Sequence, residues 1–488
     1  MHNGVLSIFR FSSLSGRFAA PVFIMTSLGP IFADDLARVK PGDRLRLTIS
    51  AQTSDAAALA QAALEARARG ERVLVVCADP ADVPRLAQEM PWFEPKLDVR
   101  PLPDWETLPY DVLSPQEELV SERLEALYRL TAPTGGADVL LTSAVTASQR
   151  LSPVSYIGAN TFFFHQGEQI SLTTLQKRLA AAGYANVKQV LAAGEFAVRG
   201  SIVDVFPMGS ERPFRLDFFD DEIESIRWFD VDTQRSMESA EEIRLLPGHE
   251  FPVDPEALLA FRQRWRREFA GDPKKSIVYC DIEKEILPPG IEYYLPLFFD
   301  ETAALTDYLP PNARVFLLGD IEAALQAFGR DMASRYKVLA ADPQRPALAP
   351  ERIWLKPEEF FKSLAKFARF TVEKKENAED LKRLSGIEVD RKSQNPVGKL
   401  LERTCESAMK GVRTLIAAPS AGRMETMSQL LRTGGLSVEE FPDWQTFLEA
   451  DSSLSIAAAP LFSGAVFHHP EIVILSEAEL YAAIVCAA

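Results

Sequence analysis

The 488-residue chain carries 53 Lys and Arg against 69 Asp and Glu, a formal net charge of -16. That balance excludes a protein whose whole surface coats nucleic acid, because such binding rests on cations neutralising phosphates. Cys77, Cys280, Cys405 and Cys486 have none of the short spacings of a thiolate metal site and predict no disulfide framework, and no apolar run of about 18 residues predicts a membrane span, so a cytoplasmic location is expected.

Residues 1–25 read as a leader expected to be disordered, since Arg10 and Arg17 interrupt any continuous apolar targeting segment, and Met25 competes with Met1 as the start. From Asp43 to Cys77 the order is strand, loop, Ala-rich helix and strand, with Gly70 closing the helix. Such a unit suits a nucleotide-binding fold, but a phosphate loop needs GxxxxGK followed by Ser or Thr. Ser50 to Asp55 supplies no glycine and no lysine, so no ATP is expected there, and Ser54 or Asp55 reads as a plain helix cap. Between Leu102 and Leu130, Ser114, Pro115 and Glu117 have the spacing of a capping box before a helix. Trp105 and Tyr110 are expected to wedge the approach to that helix against the core. Val139 to Leu151 reads as strand, turn and short helix.

Alternation over Glu195–Phe206, Pro213–Phe219 and Glu222–Asp230 predicts three antiparallel strands in a meander. Side chains alternate with period two, so Phe214, Leu216 and Phe218 share one face while Arg215, Asp217 and Phe219 share the other. In the first strand Phe196, Val198 and Ile202 are expected together, opposite Glu195 and Arg199, with Gly200 marking a possible bulge. Arg199, Arg215 and Phe219 thus form a candidate face whose composition is that of a protein-binding hot spot, against the plainer reading that Phe219 packs locally beside the Asp220–Asp221 turn. The D-x-D beginning at Asp230 reads as a turn and helix cap, and FFDDE, ending at Glu222, as a hairpin tip.

Pro255 to Phe269 predicts an amphipathic helix carrying Arg262, Arg264, Arg266 and Arg267 around a core Trp265. RVFLLGD and the following residues predict another strand and helix, and a further helix is expected near Pro357 to Phe367. The run EKKENAEDLKR, from Glu373, reads as a solvated linker near a domain boundary. Beyond it a small α/β domain is expected, in which the SAGR loop carries no chemistry. The five histidines, the adjacent His468 and His469 included, offer no catalytic or metal set.

The stretch Gly194–Arg235, the segment DWETLPYD from Asp104, and GIEYYLPLFF from Gly290 resemble the transcription-repair coupling factor (Mfd) family and, less closely, the excinuclease B subunit (UvrB). The coupling factor is favoured because the loop before Ser114 has no room for UvrB's aromatic DNA-clamping hairpin. The resemblance implies an α/β fold: a degenerate P-loop-NTPase-like, UvrB-like scaffold with an inserted α+β domain, followed by a small α/β domain. The expected divisions are 26–160 and 248–380 for the scaffold, 161–247 for an inserted UvrA-binding domain, 381–478 for the small domain and 479–488 for a divergent tail. It implies UvrA as partner, with Arg199, Arg215 and Phe219 at the positions that make that contact. ATP and magnesium, like RNA polymerase and DNA, would belong to carboxy-terminal domains expected to be missing here, so no cofactor and no enzyme activity are expected, and the chain reads as a truncated product. The competing expectation is a nucleic-acid-binding ATPase or helicase-type enzyme related to the excinuclease B subunit.

Overall fold

The computed structural model describes residues 38–132, 136–390 and 392–481. The expected leader, both candidate start methionines, Cys486 and the tail beyond residue 481 lie outside the described residues.

At the centre is a six-stranded parallel sheet of β1 (Arg44–Ser50), β2 (Val73–Cys77), β3 (Val99–Pro101), β4 (Val139–Ser143), β13 (Arg314–Leu318) and β14 (Ala368–Lys375), in the order β1-β14-β13-β2-β4-β3. All five residues of β2 are buried, as both faces of a parallel sheet are covered. Their alternation divides them. Leu74 and Val76 join a core shared with the second sheet, whereas Val73, Val75 and Cys77 join a core shared with the carboxy-terminal α/β unit. Helix α1 (Asp55–Ala68) leaves β1 with the Ser54 side chain accepting the Ala57 N–H, and Gly70 beyond its end takes φ 68°.

The charged run from Glu373 is not a linker. Its first residues end β14, a central strand between β1 and β13, and its second half lies in the helix Ala378–Leu384 with Asp380 fully buried. The charges are accommodated because they are paired: Lys374 contacts the Asp55 carboxylate at 2.6 Å, and Asp380 accepts the Ser50 hydroxyl at 2.7 Å.

The expected capping box at Ser114 does not form. Helix α3 (Glu117–Thr131), which follows α2 (Asp82–Phe93), begins at an uncapped Gln116. Ser114 instead donates to Glu292 at 2.8 Å and accepts the Gly290 N–H at 3.0 Å. Gly290 must be glycine there: its φ is 78°, and a Cβ would lie 2.5 Å from the Asp111 carbonyl oxygen. Trp105 and Tyr110 do wedge this loop. Trp105 is buried against Tyr293, and the Tyr110 hydroxyl donates to the Leu348 carbonyl at 2.8 Å. The same aromatic core holds Trp265, whose helix spans Pro255–Glu268. Arg264 of that helix donates to the Leu297 and Phe298 carbonyls, and Arg266 to the Tyr279 hydroxyl.

The second sheet has six strands in the order β11-β10-β9-β8-β7-β6: β6 (Ala185–Asn186), β7 (Glu195–Arg199), β8 (Ile202–Val205), β9 (Phe214–Phe219), β10 (Glu222–Phe229) and β11 (Ser236–Ala240). Beside it β5 (Phe162–His165) pairs with β12 (Glu242–Leu245), and the helix Leu172–Ala181 packs into the same core. The carboxy-terminal unit carries β15 (Arg413–Ala418), β16 (Glu439–Phe441), β17 (Leu454–Ala458), β18 (Ala465–His468) and β19 (Glu471–Leu475), in the order β16-β17-β15-β19-β18. Among the described residues no helix is long and apolar enough to cross a membrane.

Candidate functional site

The stretch expected to be one strand from Glu195 to Phe206 is a hairpin. Arg199 pairs with Ile202, and Gly200 and Ser201 make the two-residue turn between them, Gly200 at φ 63°. Gly200 is therefore a turn residue and not a bulge. The register irregularities fall in β10 instead, between Ile223 and Ser225 and between Arg227 and Phe229. The turn fixes which side chains share a face: Ile202 lies with Arg199, not with Phe196 and Val198 as expected, because directly paired residues project the same way.

Asp204 follows Ile202 by two residues and joins the same face, paired with Ala197 on one side and Arg215 on the other. It is 1% exposed. Its Oδ1 accepts Arg215 Nε–H at 2.6 Å, and its Oδ2 accepts Arg215 Nη2–H at 2.9 Å and Arg199 Nη2–H at 2.6 Å. One buried carboxylate thus holds both arginines. Arg215 is further fixed by the Gln234 carbonyl at 3.1 Å and the Ser236 hydroxyl at 3.2 Å, with its guanidinium over the Phe229 ring at 5.0 Å. The hydrogen bonds that Arg215 donates to Asp204 push its pKa up, keeping it a fixed cation. Its side chain is largely covered, whereas nearly half of Arg199 remains open to solvent.

Phe219 ends β9 and faces Glu222 across the Asp220–Asp221 turn, in which Asp220 takes φ 53°. It is 68% exposed, so it does not pack locally against the turn. Its neighbours Phe214, Leu216 and Phe218, on alternate positions, are buried on the opposite face. The tip is tied down by the Gly167 N–H on the Ile223 carbonyl and the Ile170 N–H on the Asp221 carbonyl. Arg227, in register with Arg215, belongs to this face and binds Asp217 at 2.7 Å. Sequence reasoning placed Asp217 on this face but missed Asp204 and Arg227. The alternation in β10 could have supplied Arg227; Asp204 needed the turn.

The D-x-D at Asp230 makes a turn in which Asp230 accepts the Thr233 N–H and hydroxyl, and no helix follows. Among the described residues no group of three or more His, Cys, Asp or Glu could hold a metal ion.

The loop between β1 and α1 is tied to β18. The Gln52 carbonyl accepts the Val466 N–H at 2.8 Å, and the Thr53 hydroxyl donates to the Val466 carbonyl. Asp55 is 3% exposed, with Arg85 of α2 donating to both its oxygens at 2.9 and 2.8 Å and Lys374 at 2.6 Å. Burial alone raises the Asp55 pKa, but the hydrogen bond from Arg85 and the charge of Lys374 outweigh it and hold the carboxyl below its ordinary range. Asp55 is thus a cap neighbour and also the centre of a buried ion network. Arg85 continues it to Glu89 at 2.8 Å, and Glu89 accepts the Phe462 N–H from the carboxy-terminal unit at 3.1 Å. His468 lies 3.1 Å from Asp380, across the same junction.

A family model of the UvrB interaction domain matches residues 162–251, and one of the MFD D3 domain matches residues 408–480. The transcription-repair-coupling factor of Escherichia coli strain K12 is 38% identical over 367 residues, covering 74% of this chain and 31% of that protein. That of Haemophilus influenzae is 40% identical over 344 residues, 68% of this chain and 29% of the relative. That of Bacillus subtilis is 32% identical over 216 residues, 41% of this chain and 18% of the relative. The chain therefore spans less than a third of the length of these relatives.

Proposed function

Because the chain belongs to the transcription-repair-coupling factor family and corresponds to its amino-terminal portion, we propose that it is a protein-interaction module that recruits UvrA to stalled RNA polymerase in transcription-coupled nucleotide excision repair. The contact is made by Arg199, Arg215 and Phe219. The observation that carries this reading is the exposure of Phe219, 68% open at the end of a strand whose other phenylalanines are buried. On the same face of the sheet stand two arginines held by Asp204. An aromatic anchor beside pre-positioned guanidinium groups binds with little ordering cost. Arg199 supplies the accessible donor and Arg215 the fixed positive charge beneath it.

In this reading the central sheet is an ATPase-like scaffold without nucleotide chemistry, and the protein works in the cytoplasm. Asp55, its two cationic partners and the strand β18 occupy the region above β1 where a phosphate loop would otherwise lie, which supports the non-enzymatic reading over the ATPase alternative. RNA polymerase and DNA are then reached through other domains of the family. Pull-down of UvrA by the folded chain and by Phe219→Ala tests the proposal. Loss of UvrA in the variant is expected, and retention at wild-type level would overturn the site.

A further inference from the structure

A groove of about 490 Å³ runs between α3 and the segment that leads into β7. Its floor is apolar, from Ala126 of α3, Ala193 and the half-buried Phe206. At its lip Leu191 is 57% exposed. Leu191 is nonetheless held: its N–H and that of Ala192 both donate to Glu195, at 2.7 and 3.0 Å. An exposed aliphatic on a fixed loop is a preformed contact that needs no ordering on binding.

The walls carry charge of one sign. Glu118 and Glu122 stand one turn apart on α3, and Glu211 lines the groove with them. The other charged lining groups are neutralised in place, Glu125 by Arg129 and Arg244, and Arg100 by Asp98. Glu118, Glu122 and Glu211 make no ion pair among the described residues. Carboxylates four apart on a helix repel each other, and burial with the nearby Glu106 pushes the Glu122 carboxyl up. The free protein therefore holds uncompensated negative charge around an apolar floor.

We propose that this groove docks a cationic polypeptide segment, whose lysines or arginines meet Glu118, Glu122 and Glu211 while an apolar side chain covers Leu191. None of these residues is Arg199, Arg215 or Phe219, but the two surfaces adjoin: Gln234, which accepts a bond from Arg199, donates to the Val190 carbonyl next to Leu191.

The test titrates the full chain into a dye-labelled peptide of alternating lysine and leucine, read by fluorescence anisotropy, beside a glutamate–leucine peptide. The lysine peptide binds and the glutamate peptide does not. Glu118→Gln/Glu122→Gln/Glu211→Gln weakens binding at least about tenfold, whereas removing three charges elsewhere, Glu256→Gln/Glu358→Gln/Glu402→Gln, changes it less than about twofold. Leu191→Ser, which keeps the main-chain bond to Glu195 and the net charge, weakens it about fivefold. Thermal melts establish that every variant is folded. Absence of binding, equal loss in the two triple variants, or an unchanged affinity in Leu191→Ser would overturn the proposal.

Discussion

Asp204 and Arg215 lie directly opposite one another on β8 and β9 and share a two-bond contact, at 2.6 and 2.9 Å, in which the carboxylate is 1% exposed. Asp204 also takes a bond from Arg199, so its removal takes from two guanidinium groups the carboxylate that both bind. Asp204→Ala is expected to cost about 3 kcal/mol or more, since breaking a buried pair strands its partner. Urea denaturation at neutral pH measures it. A loss below about 1 kcal/mol would mean that the arginines find other partners.

The two arginines should separate by experiment. Arg215 is covered and bound on three sides, so Arg215→Ala is expected to lose about 2 kcal/mol of stability together with UvrA affinity. Arg199 is half open, so Arg199→Ala should cost less than about 1 kcal/mol while still weakening UvrA binding. Paired denaturation and binding measurements on both variants check this. Equal destabilisation would place Arg199 in the structural framework instead of the contact.

Asp55 anchors Arg85 and Lys374 where the central sheet meets the carboxy-terminal unit. Asp55→Ala takes from Lys374 its ion-pair partner and from Arg85 one of three, Asp82 and Glu89 remaining, and is expected to cost about 3 kcal/mol. Its carboxyl is held below its ordinary value, so its contribution is fully present at neutral pH and is lost as pH falls below about 4. Denaturation of wild type and variant at pH 7 and pH 3 should show the difference shrinking in acid. A constant difference would contradict the pairing.

The middle of the central sheet was legible because β2 is uniformly apolar: VLVVC has one plausible fate. The face of β9 was legible for the same kind of reason, since only one parity buries Phe214, Leu216 and Phe218. Asp204 was hidden because a glycine between two strand-like runs fits a bulge or a turn equally well, and the two assign opposite faces to every residue beyond it. The charged end of β14 was hidden because Lys374 and Asp380 are tolerated only through Asp55, Ser50 and His468, all distant in sequence. Ser114 fits a capping box by spacing, but its partners Gly290 and Glu292 lie more than a hundred residues away.

Glu292 gives the fold a pH dependence of opposite sign to that of Asp55. Burial pushes its carboxyl up to about 7, against an ordinary 4.5. The unfolded chain therefore releases this proton first, and stability falls as pH rises from about 4.5 to about 7, then levels. Glu292→Gln, which keeps an oxygen to accept the Ser114 hydroxyl, is expected to be more stable than wild type at pH 8 and no more stable at pH 4.5. Melting temperatures of the two proteins across that range test it. Parallel curves would mean that Glu292 titrates normally.

The most direct measurement is calorimetric titration of UvrA with the folded chain and with Arg199→Glu, circular dichroism being used to establish that both are folded. A defined binding isotherm for the chain, abolished in Arg199→Glu, is the predicted result. Equal binding by the two proteins, or none by the unmodified chain, would contradict recruitment of UvrA through the Arg199, Arg215 and Phe219 face.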